Sequence, residues 1–440
     1  MVLASATCIM AFIPRGRHRS SSPSPLIVAL SRDPALWFGG CFLVLLLIQW
    51  LNAGRELLFN WGTMHWLYAP PAISWLPGAV TRADAAEALR WFVPTWVIML
   101  IIRHTLSRAT LVSLYVGLVT SASALSLLAI IQWGVAQTEL FGIPSPPDSY
   151  FATSFGYMNH AGAFCVLILA VSFGLFLRAF RINGSGTLSS RIFFGITSFI
   201  LFVGAHVSES RAAICMVWLL ALVALVLYIA QDWKAIPPVD RLNRLAIVCG
   251  IVGLLFFFVG GLGHTMLKRE FVDELVKPPT SAQTQSSTVI SAFIKAGAGG
   301  DRNLFRDIAV QIWKNHRWFG AGLWAQRYFM GIYLEPSEWS HVLDDGAANV
   351  HTDGLQFLSE FGLVGFFFMA MTVLAILRPI FNKMRVVPLT PDRLIIACGL
   401  MLILVYSFVD LPFRSPAILL TWTALLSGEA AFWKAKRPSS

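Results

Sequence analysis

A histidine and three further polar side chains open the apolar stretch NVHTDGLQFLSEFGLVGFFFMAM, residues 349–371. Asp353, Gln356 and Glu360 follow His351 at spacings that place them on successive turns of a helix. A charged or polar group inside a membrane costs a few kcal/mol, so such groups are functional candidates by default. Histidine titrates near neutral pH and is suited to take a proton from an attacking hydroxyl. The stretch therefore predicts general-base chemistry at the end of a membrane helix.

The helical spacing also predicts how these residues are held. At about 100° per residue, His351 shares a stripe with Gly362 and Gly365, which would let another helix approach closely. Glu360, about two turns inside the apolar run, is interpreted as the buried partner of another helix or of an arginine. The competing interpretation makes His351 a structural residue at the membrane surface. The acidic and amide stripe beside it favours the catalytic interpretation.

A second candidate lies in SESRA, residues 208–212, a connection so short that Arg211 must lie at the membrane boundary. A guanidinium can hold phosphate oxygens with two parallel hydrogen bonds, so Arg211 is a candidate phosphate ligand. The structural alternatives are an ion pair with Glu209 or a contact with the membrane interface. The residues alone leave both possibilities open.

Two more arginines lie in DRNLFRDIAVQIWKNHRW, which has the pattern of an amphipathic helix. Arg302 and Arg306 are four residues apart and so share one surface, where their mutual repulsion would be relieved by a common anion. A merely solvated face is the alternative. Arg55 and Arg414 are weaker candidates for the same role.

The stretch GYMNHAGAF, residues 156–164, places Asn159 and His160 at the start of another membrane helix. A helix-capping asparagine with a neighbouring histidine is the favoured interpretation here. No Walker or GxGxxG phosphate loop, no HExxH and no Cys/His cluster with metal spacing occurs. We therefore expect no cofactor and no metal.

These candidates need membrane helices to position them. The chain is 56% hydrophobic, which is far from an ordinary soluble composition. Apolar runs predict an all-α polytopic membrane protein. The ten predicted spans lie near residues 35–52, 88–102, 110–136, 160–178, 192–209, 212–230, 245–263, 354–377, 394–410 and 415–433.

The basic residues predict the orientation. Arginine and lysine fill every second connection, as the positive-inside rule requires if both termini are cytoplasmic. The net charge of +10 is explained mostly by these connections, and no nucleic-acid-binding module is visible. The predicted organisation is a cytoplasmic basic tail (1–34), N-terminal membrane helices (35–263) with outer loops near 53–87 and 137–158, a long outer loop (264–352), C-terminal membrane helices (353–433) and a cytoplasmic tail (434–440).

Taken in order, these motifs resemble the O-antigen ligase and polymerase superfamily over roughly residues 150–370. Ser208-Glu209-Ser210-Arg211 is similar to that family's Ser-x-Ser-Arg hairpin. Arg302, 18 residues before Gly320, is similar to the arginine of its periplasmic helix. Tyr157-Met-Asn159-His160 is similar to the asparagine-containing start of a central helix in that family. The most specific resemblance is the signature His351-x-x-x-Leu355-Gln356-x-x-x-Glu360-x-Gly362-x-x-Gly365.

The resemblance implies about ten to twelve membrane helices and a long periplasmic loop carrying amphipathic helices. It implies periplasmic glycosyl transfer in the bacterial inner membrane, without metal or nucleotide. The donor would be a glycan on undecaprenyl diphosphate, and the acceptor a sugar of the lipid A core. His351 would then be the base and Arg211 would act in catalysis and diphosphate binding. Arg302 and Arg306 would also bind the diphosphate, and the supporting residues would be Gln356, Glu360, Asn159 and His160.

The acceptor is not indicated by any residue. A repeat-unit polymerase of O-antigen or exopolysaccharide and a protein O-oligosaccharyltransferase carry the same motifs. The single long loop before His351 favours a ligase. A solute transporter is the alternative from another class, and it would require polar groups near mid-membrane and broken helices in paired halves.

Overall fold

The computed structural model shows an all-α polytopic membrane protein with two short antiparallel hairpins. Its described residues are 25–54, 57–60, 65–68, 71, 73–134, 139–140, 143–144, 155, 157–181, 187–231, 241–242, 246, 248, 250, 253, 300–333, 349–384 and 389–434. Within these residues the helices are α1 (Pro25–Ser31), α2 (Pro34–Leu51), α3 (Arg82–Thr105), α4 (Arg108–Gly134), α5 (Met158–Ala179), α6 (Leu188–Val207), α7 (Arg211–Ala230), α8 (Gly300–Asn315), α9 (Ala325–Tyr333), α10 (Asp353–Met384), α11 (Pro391–Tyr406) and α12 (Pro416–Lys434). The hairpins pair β1 (Leu57–Asn60) with β2 (His65–Tyr68) and β3 (Glu139–Leu140) with β4 (Ile143–Pro144).

Seven of the described helices, α2 to α7 and α10, are long and apolar enough to cross a membrane. The shorter α11 and α12 occupy the ranges predicted for the last two spans. The predicted span at 88–102 begins earlier, at Arg82, and the one at 394–410 ends earlier, at Tyr406. The predicted span at 245–263 lies almost entirely outside the described residues, so the predicted helix number stays a prediction.

The spans pack as two groups. Helices α2, α3, α10 and α12 contact one another, and α4, α6, α7 and α11 surround or flank α5. Helix α5 is the central helix of its group, because most of its side chains are buried. We call the end of the bundle where α5, α7 and α10 begin the site face. Among the described residues, the largest apolar cluster includes residues of both groups, such as Met99 of α3 and Leu167 of α5. Two smaller clusters lie around Phe42, Phe92 and Phe361 and around Ala161 and Val203.

Helix α10 is broken at Gly362, where φ is 65° and ψ is −171°. The chain from Arg317 to Gly322 runs beside the break and pairs with its backbone. Leu363 N–H donates to Arg317 O at 2.8 Å, and Gly322 N–H donates to Glu360 O at 2.8 Å. Non-helical backbone at a membrane boundary is tolerated only where its polar groups are satisfied in this way.

Just before the break, Glu360 lies beside the end of α2. Its backbone oxygen accepts a hydrogen bond from the side chain of Gln49, which lies in the last turn of α2. Glu360 lies about two turns into α10, as the sequence predicted, and is level with the last turn of α2. The expected stripe from His351 to Gly365 is wrong, because His351 precedes α10 and Gly362 interrupts it. Only Gly365 meets a neighbouring helix, through Phe42 and Leu45 of α2.

At the opposite end of α10, Pro379 removes an N–H that would otherwise donate to Ala375 O. The guanidinium of Arg103 lies 3.5 Å from Ala375 O and 3.4 Å from Ile376 O. Arg103 also forms a buried ion pair with Asp33 at 2.9 Å. One arginine thus connects α3 and α10 to the start of α2, and it reaches the Ala375 carbonyl that the proline leaves without a helical donor.

Replacing Gly362 by alanine is expected to destabilise the fold. The added Cβ would meet Trp318 C at 2.4 Å and Gly320 N at 2.5 Å, and the backbone is left-handed. We expect a loss of about 3 kcal/mol, from left-handed strain and overpacking together. Thermal unfolding in detergent measures the loss.

Gly354→Ala is the matched control. Gly354 lies in the same helix as Gly362, and a Cβ added there would meet nothing within 4 Å. Equal melting temperatures for the two variants would contradict the role assigned to the break.

Candidate active site

The connection between α11 and α12, Ser407 to Ser415, carries a buried carboxylate. Asp410 is 3% exposed. It accepts hydrogen bonds from Tyr406 Oη at 2.8 Å, from Asn159 Nδ2 at 2.6 Å and from its neighbour Leu411 N–H at 2.8 Å. A buried charge is tolerated when its lone pairs are satisfied, and here three donors satisfy it. Asp410 is therefore a fixed negative charge on the site face.

His351 is held beside this carboxylate. Its Nδ1 lies 3.9 Å from Asp410 Oδ1, an ion-pair distance longer than a hydrogen bond. Nδ1 is buried and makes no hydrogen bond, while the side chain as a whole is 25% exposed. The ring stacks on Phe305 of α8 at 6.3 Å between centroids. The accessible part of the imidazole is thus the part away from Asp410.

The backbone of His351 is left-handed, with φ of 55°, which is uncommon outside glycine. Its neighbours fix this conformation. Val350 N–H donates to Gln356 Oε1 at 3.0 Å, and Asp353 N–H donates to Ser407 O at 2.9 Å. Strained backbone held from both sides is a recurrent property of functional residues.

The environment of Asp410 acts on its pKa in two directions. Burial raises the pKa, but the interactions with His351, Tyr406 and Leu411 N–H together outweigh it, so the pKa lies below the ordinary aspartate value. Asp410 therefore stays ionised through the neutral range. A permanent carboxylate beside an imidazole stabilises the imidazolium that forms when histidine accepts a proton.

Asn159 and His160 reach the same connection from the first turn of α5. Asn159 does not cap the helix, because the N-cap is Tyr157 and its side chain makes no capping bond. The Asn159 amide instead donates to Asp410 and to Tyr157 Oη, each at 2.6 Å. His160 Nε2 lies 2.8 Å from Leu411 O and must donate, since a carbonyl only accepts. The favoured capping interpretation of the sequence is thus wrong, and both residues serve the Asp410 connection.

Arg211 is the first residue of α7 and is exposed. The predicted tight connection is confirmed, since only residues 208–210 separate α6 from α7. Ser210 is 1% exposed, caps α7 through Ala213 N–H and contacts the Tyr406 hydroxyl. Because Tyr406 donates to Asp410, the start of α7 is joined to the histidine site through two hydroxyl groups.

Gln356 and Glu360 are both 1% exposed. Glu360 Oε1 accepts hydrogen bonds from Arg414, from Gln356 Nε2 at 3.2 Å and from Trp324 N–H at 2.9 Å. The arginine partner that the sequence predicted for Glu360 is therefore confirmed, and it is Arg414. Arg414 therefore forms an internal ion pair with Glu360.

The structure describes the other candidate arginines less completely. Arg302 and Arg306 lie on α8, and the predicted amphipathic helix is confirmed by the burial of Phe305, Ile308 and Ile312. Arg306 is half-buried beside Phe305, which stacks on His351. The side chain of Arg302 and all of Arg55 lie outside the described residues.

Sequence reasoning missed Asp410 and Tyr406. Both lay at the end of the predicted span 394–410, where an aspartate after sixteen residues without any charge was an available signal. Their importance depends on which residues face them, which one sequence cannot show. Within the described part of the chain, no three His, Cys, Asp or Glu side chains form a group that could hold a metal ion.

Residues 196–370 match the family model described as O-antigen ligase. The match runs from α6 to the middle of α10 and includes Arg211, His351 and Glu360. This match supports membership of the chain in the O-antigen ligase superfamily. Among curated proteins, none matches the sequence.

The similarity to the O-antigen ligase family supports a glycosyltransferase-like membrane enzyme with a lipid-linked glycan and an acceptor as its general substrates. The matched range holds the histidine and the two α8 arginines. Asn159 and His160 precede it, and Asp410 and Arg414 follow it. The geometry therefore adds residues to the site from both sides of the matched segment.

Replacing Asp410 by asparagine is expected to change how stability depends on pH. Because the folded-state pKa is below the ordinary value of about 3.9, the carboxylate stabilises the fold above that value. This contribution is lost as the pH falls through the folded-state pKa. The wild-type Tm should exceed that of Asp410→Asn near pH 6, and the gap should narrow as the pH falls below the ordinary aspartate pKa of about 3.9.

Thermal unfolding in detergent across this range measures the gap. A gap that does not change with pH would mean that ionisation of Asp410 contributes nothing to the fold.

Proposed function

We propose that the protein transfers a glycan from undecaprenyl diphosphate to an acceptor hydroxyl, most simply a sugar of the lipid A core. The observation that carries this proposal is the buried Asp410 carboxylate beside the Nδ1 edge of a strained, partly exposed His351. That arrangement holds an imidazole in one orientation and leaves its other edge towards solvent. It is the geometry of a positioned general base.

In the proposed reaction, His351 Nε2 takes the proton of the acceptor hydroxyl as its oxygen attacks the anomeric carbon. A new glycosidic C–O bond forms, and the C–O bond to the diphosphate breaks, with its electron pair leaving on the diphosphate. Asp410 stabilises the imidazolium without taking its proton. General-base assistance of this kind contributes about 10²–10⁴-fold in rate.

The leaving diphosphate needs positive charge at the site face. Arg211 stands exposed on the first turn of α7, where the helix N-terminus itself favours an anion. Its guanidinium can hold two phosphate oxygens at once. We propose Arg211 as the main diphosphate ligand, with Arg302 and Arg306 as further ligands from α8. No cofactor or metal has a part in this mechanism.

The polyprenyl chain of such a donor needs an apolar path. Towards the site face, the α2–α3–α10 group and the α4–α6 group form separate apolar clusters among the described residues. We propose that the polyprenyl chain of the donor lies along these apolar helices, in the hydrocarbon of the membrane.

The alternative glycosyl-transfer functions differ in their acceptor. The single long loop before His351 favours ligation to lipid A core over repeat-unit polymerisation or protein O-glycosylation. A solute transporter is disfavoured, since the polar residues of the candidate site gather at the site face. Among the described residues of the other group, no helix is broken to match α10. We place the enzyme in the bacterial inner membrane with both termini cytoplasmic and the site face periplasmic, following the basic residues of the connections.

Purified protein in detergent should transfer glycan from the undecaprenyl diphosphate donor to lipid A core with EDTA present. His351→Ala should lose about 10²–10⁴-fold in kcat, and Arg211→Ala should lose donor affinity together with rate. Quantifying the glycosylated acceptor by gel or mass spectrometry measures both.

Arg317→Ala is the matched control for Arg211→Ala, being an exposed arginine whose described side-chain contact is to Lys314 O. Lengthening of the glycan on its own lipid would identify a polymerase. Full activity in the His351 and Arg211 variants would refute their roles.

Asp410→Asn tests the base more specifically. Losing the carboxylate should destabilise the imidazolium, so the acid limb of the pH–rate profile should move to lower pH while the maximal rate falls by about tenfold or more. If the acid limb of the Asp410→Asn profile stays at the wild-type pH, Asp410 has no influence on proton transfer by His351. Asp84→Asn provides a control carboxylate on the site face, where Asp84 accepts from Tyr328 Oη and Thr81 Oγ1.

A further inference from the structure

Arg414 carries an inference that rests on the proposed function. Sequence reasoning grouped this arginine with possible anion ligands. In the structure its side chain is 8% exposed and paired with Glu360, which is 1% exposed. An arginine committed to a buried carboxylate is poorly placed to hold a large anionic donor as well. Its contacts indicate a different role.

A continuous set of hydrogen bonds leads from Arg414 to the backbone next to His351. Arg414 donates to Glu360 Oε1, and the Gln356 amide donates to the same oxygen at 3.2 Å. That donation fixes which end of the amide carries oxygen, so Gln356 Oε1 faces Val350 N–H and accepts from it at 3.0 Å. Val350 is fully buried and directly precedes His351.

We propose that Arg414 is a positioning residue that acts through Glu360 and Gln356 to hold His351 in its left-handed conformation beside Asp410. The relay matters because a left-handed histidine persists only when its surroundings impose it. Arg414 and Asp410 also lie in the same connection between α11 and α12. One short segment thus supplies the carboxylate for the imidazole and, through the relay, fixes the backbone that presents the imidazole.

A matched control is available in the same place. The guanidinium carbons of Arg414 and Arg327 lie 4.6 Å and 4.5 Å from the Trp324 ring centroid, so both make a cation–π contact with one indole. Only Arg414 pairs with Glu360 among the described residues. Arg327→Gln therefore removes the aromatic contact and leaves the relay intact.

The experiment compares Arg414→Gln, Arg414→Lys, Arg327→Gln and Glu360→Gln in the full-length protein. Arg414→Gln should lower kcat by about 10- to 100-fold with KM for the donor within about twofold, because it misplaces the base without touching the substrate. Arg414→Lys should recover part of the rate, and Arg327→Gln should behave like wild type. Equal losses in Arg414→Gln and Arg327→Gln would assign the effect to Trp324 packing and overturn the relay.

Two further results decide the mechanism. Arg414→Gln combined with Glu360→Gln should lose no more than the worse single variant, because members of one unit are not additive. Multiplicative losses would overturn the relay. A raised KM for the donor with kcat unchanged would make Arg414 a donor ligand, contrary to the proposal.

A measurement that does not depend on enzyme activity tests the relay independently of the proposed function. The rate at which diethyl pyrocarbonate modifies His351, identified against His351→Ala, should rise severalfold in Arg414→Gln and stay unchanged in Arg327→Gln. If the wild type transfers no glycan to any acceptor, the proposed function fails while this measurement still judges the relay. An unchanged modification rate in Arg414→Gln would then overturn it.

Discussion

Burial of the Asp410 carboxylate is the constraint from which the site follows. A charge removed from water must find donors on every side, and no single helix can supply them. The donors come from α5 through Asn159, from α11 through Tyr406 and from the backbone of Leu411. His351, before α10, completes the surroundings. Satisfying one carboxylate therefore joins the two helix groups at the site face.

The break in α10 solves a related problem for the neighbouring polar residues. An unbroken helix would carry Glu360 into the membrane, where its charge would be expensive. At Gly362 the chain turns, and the backbone of Arg317 and Trp318 pairs with the first residues beyond the turn. The polar beginning of α10 thus stays level with the end of α2. Buried Glu360 then meets Arg414 and becomes part of the site's support.

The arginines of this chain show how environment decides the use of one side chain. Arg103 reaches the carbonyl freed by a proline, and Arg414 pairs with a buried glutamate. Arg211 lies exposed on the first turn of a helix, where a phosphate can reach it. The same guanidinium fork suits all three settings, the third of them the proposed phosphate, because its five donors in a plane match carbonyl, carboxylate and phosphate oxygens alike.

The sequence by itself determined the membrane class, the positions of the seven described helices that can cross a membrane and the amphipathic α8. It also singled out Arg211 and His351 as candidates. These follow from local properties, namely apolar run length, helical periodicity and residue type at a given spacing. Only the tertiary structure decided that Asp410 faces His351, that Asn159 serves this carboxylate and that Arg414 is internal. Such roles depend on which distant segments meet, and burial sets them after the helices have packed. Periodicity within one helix carries no information about that meeting, and so it failed at Gly362.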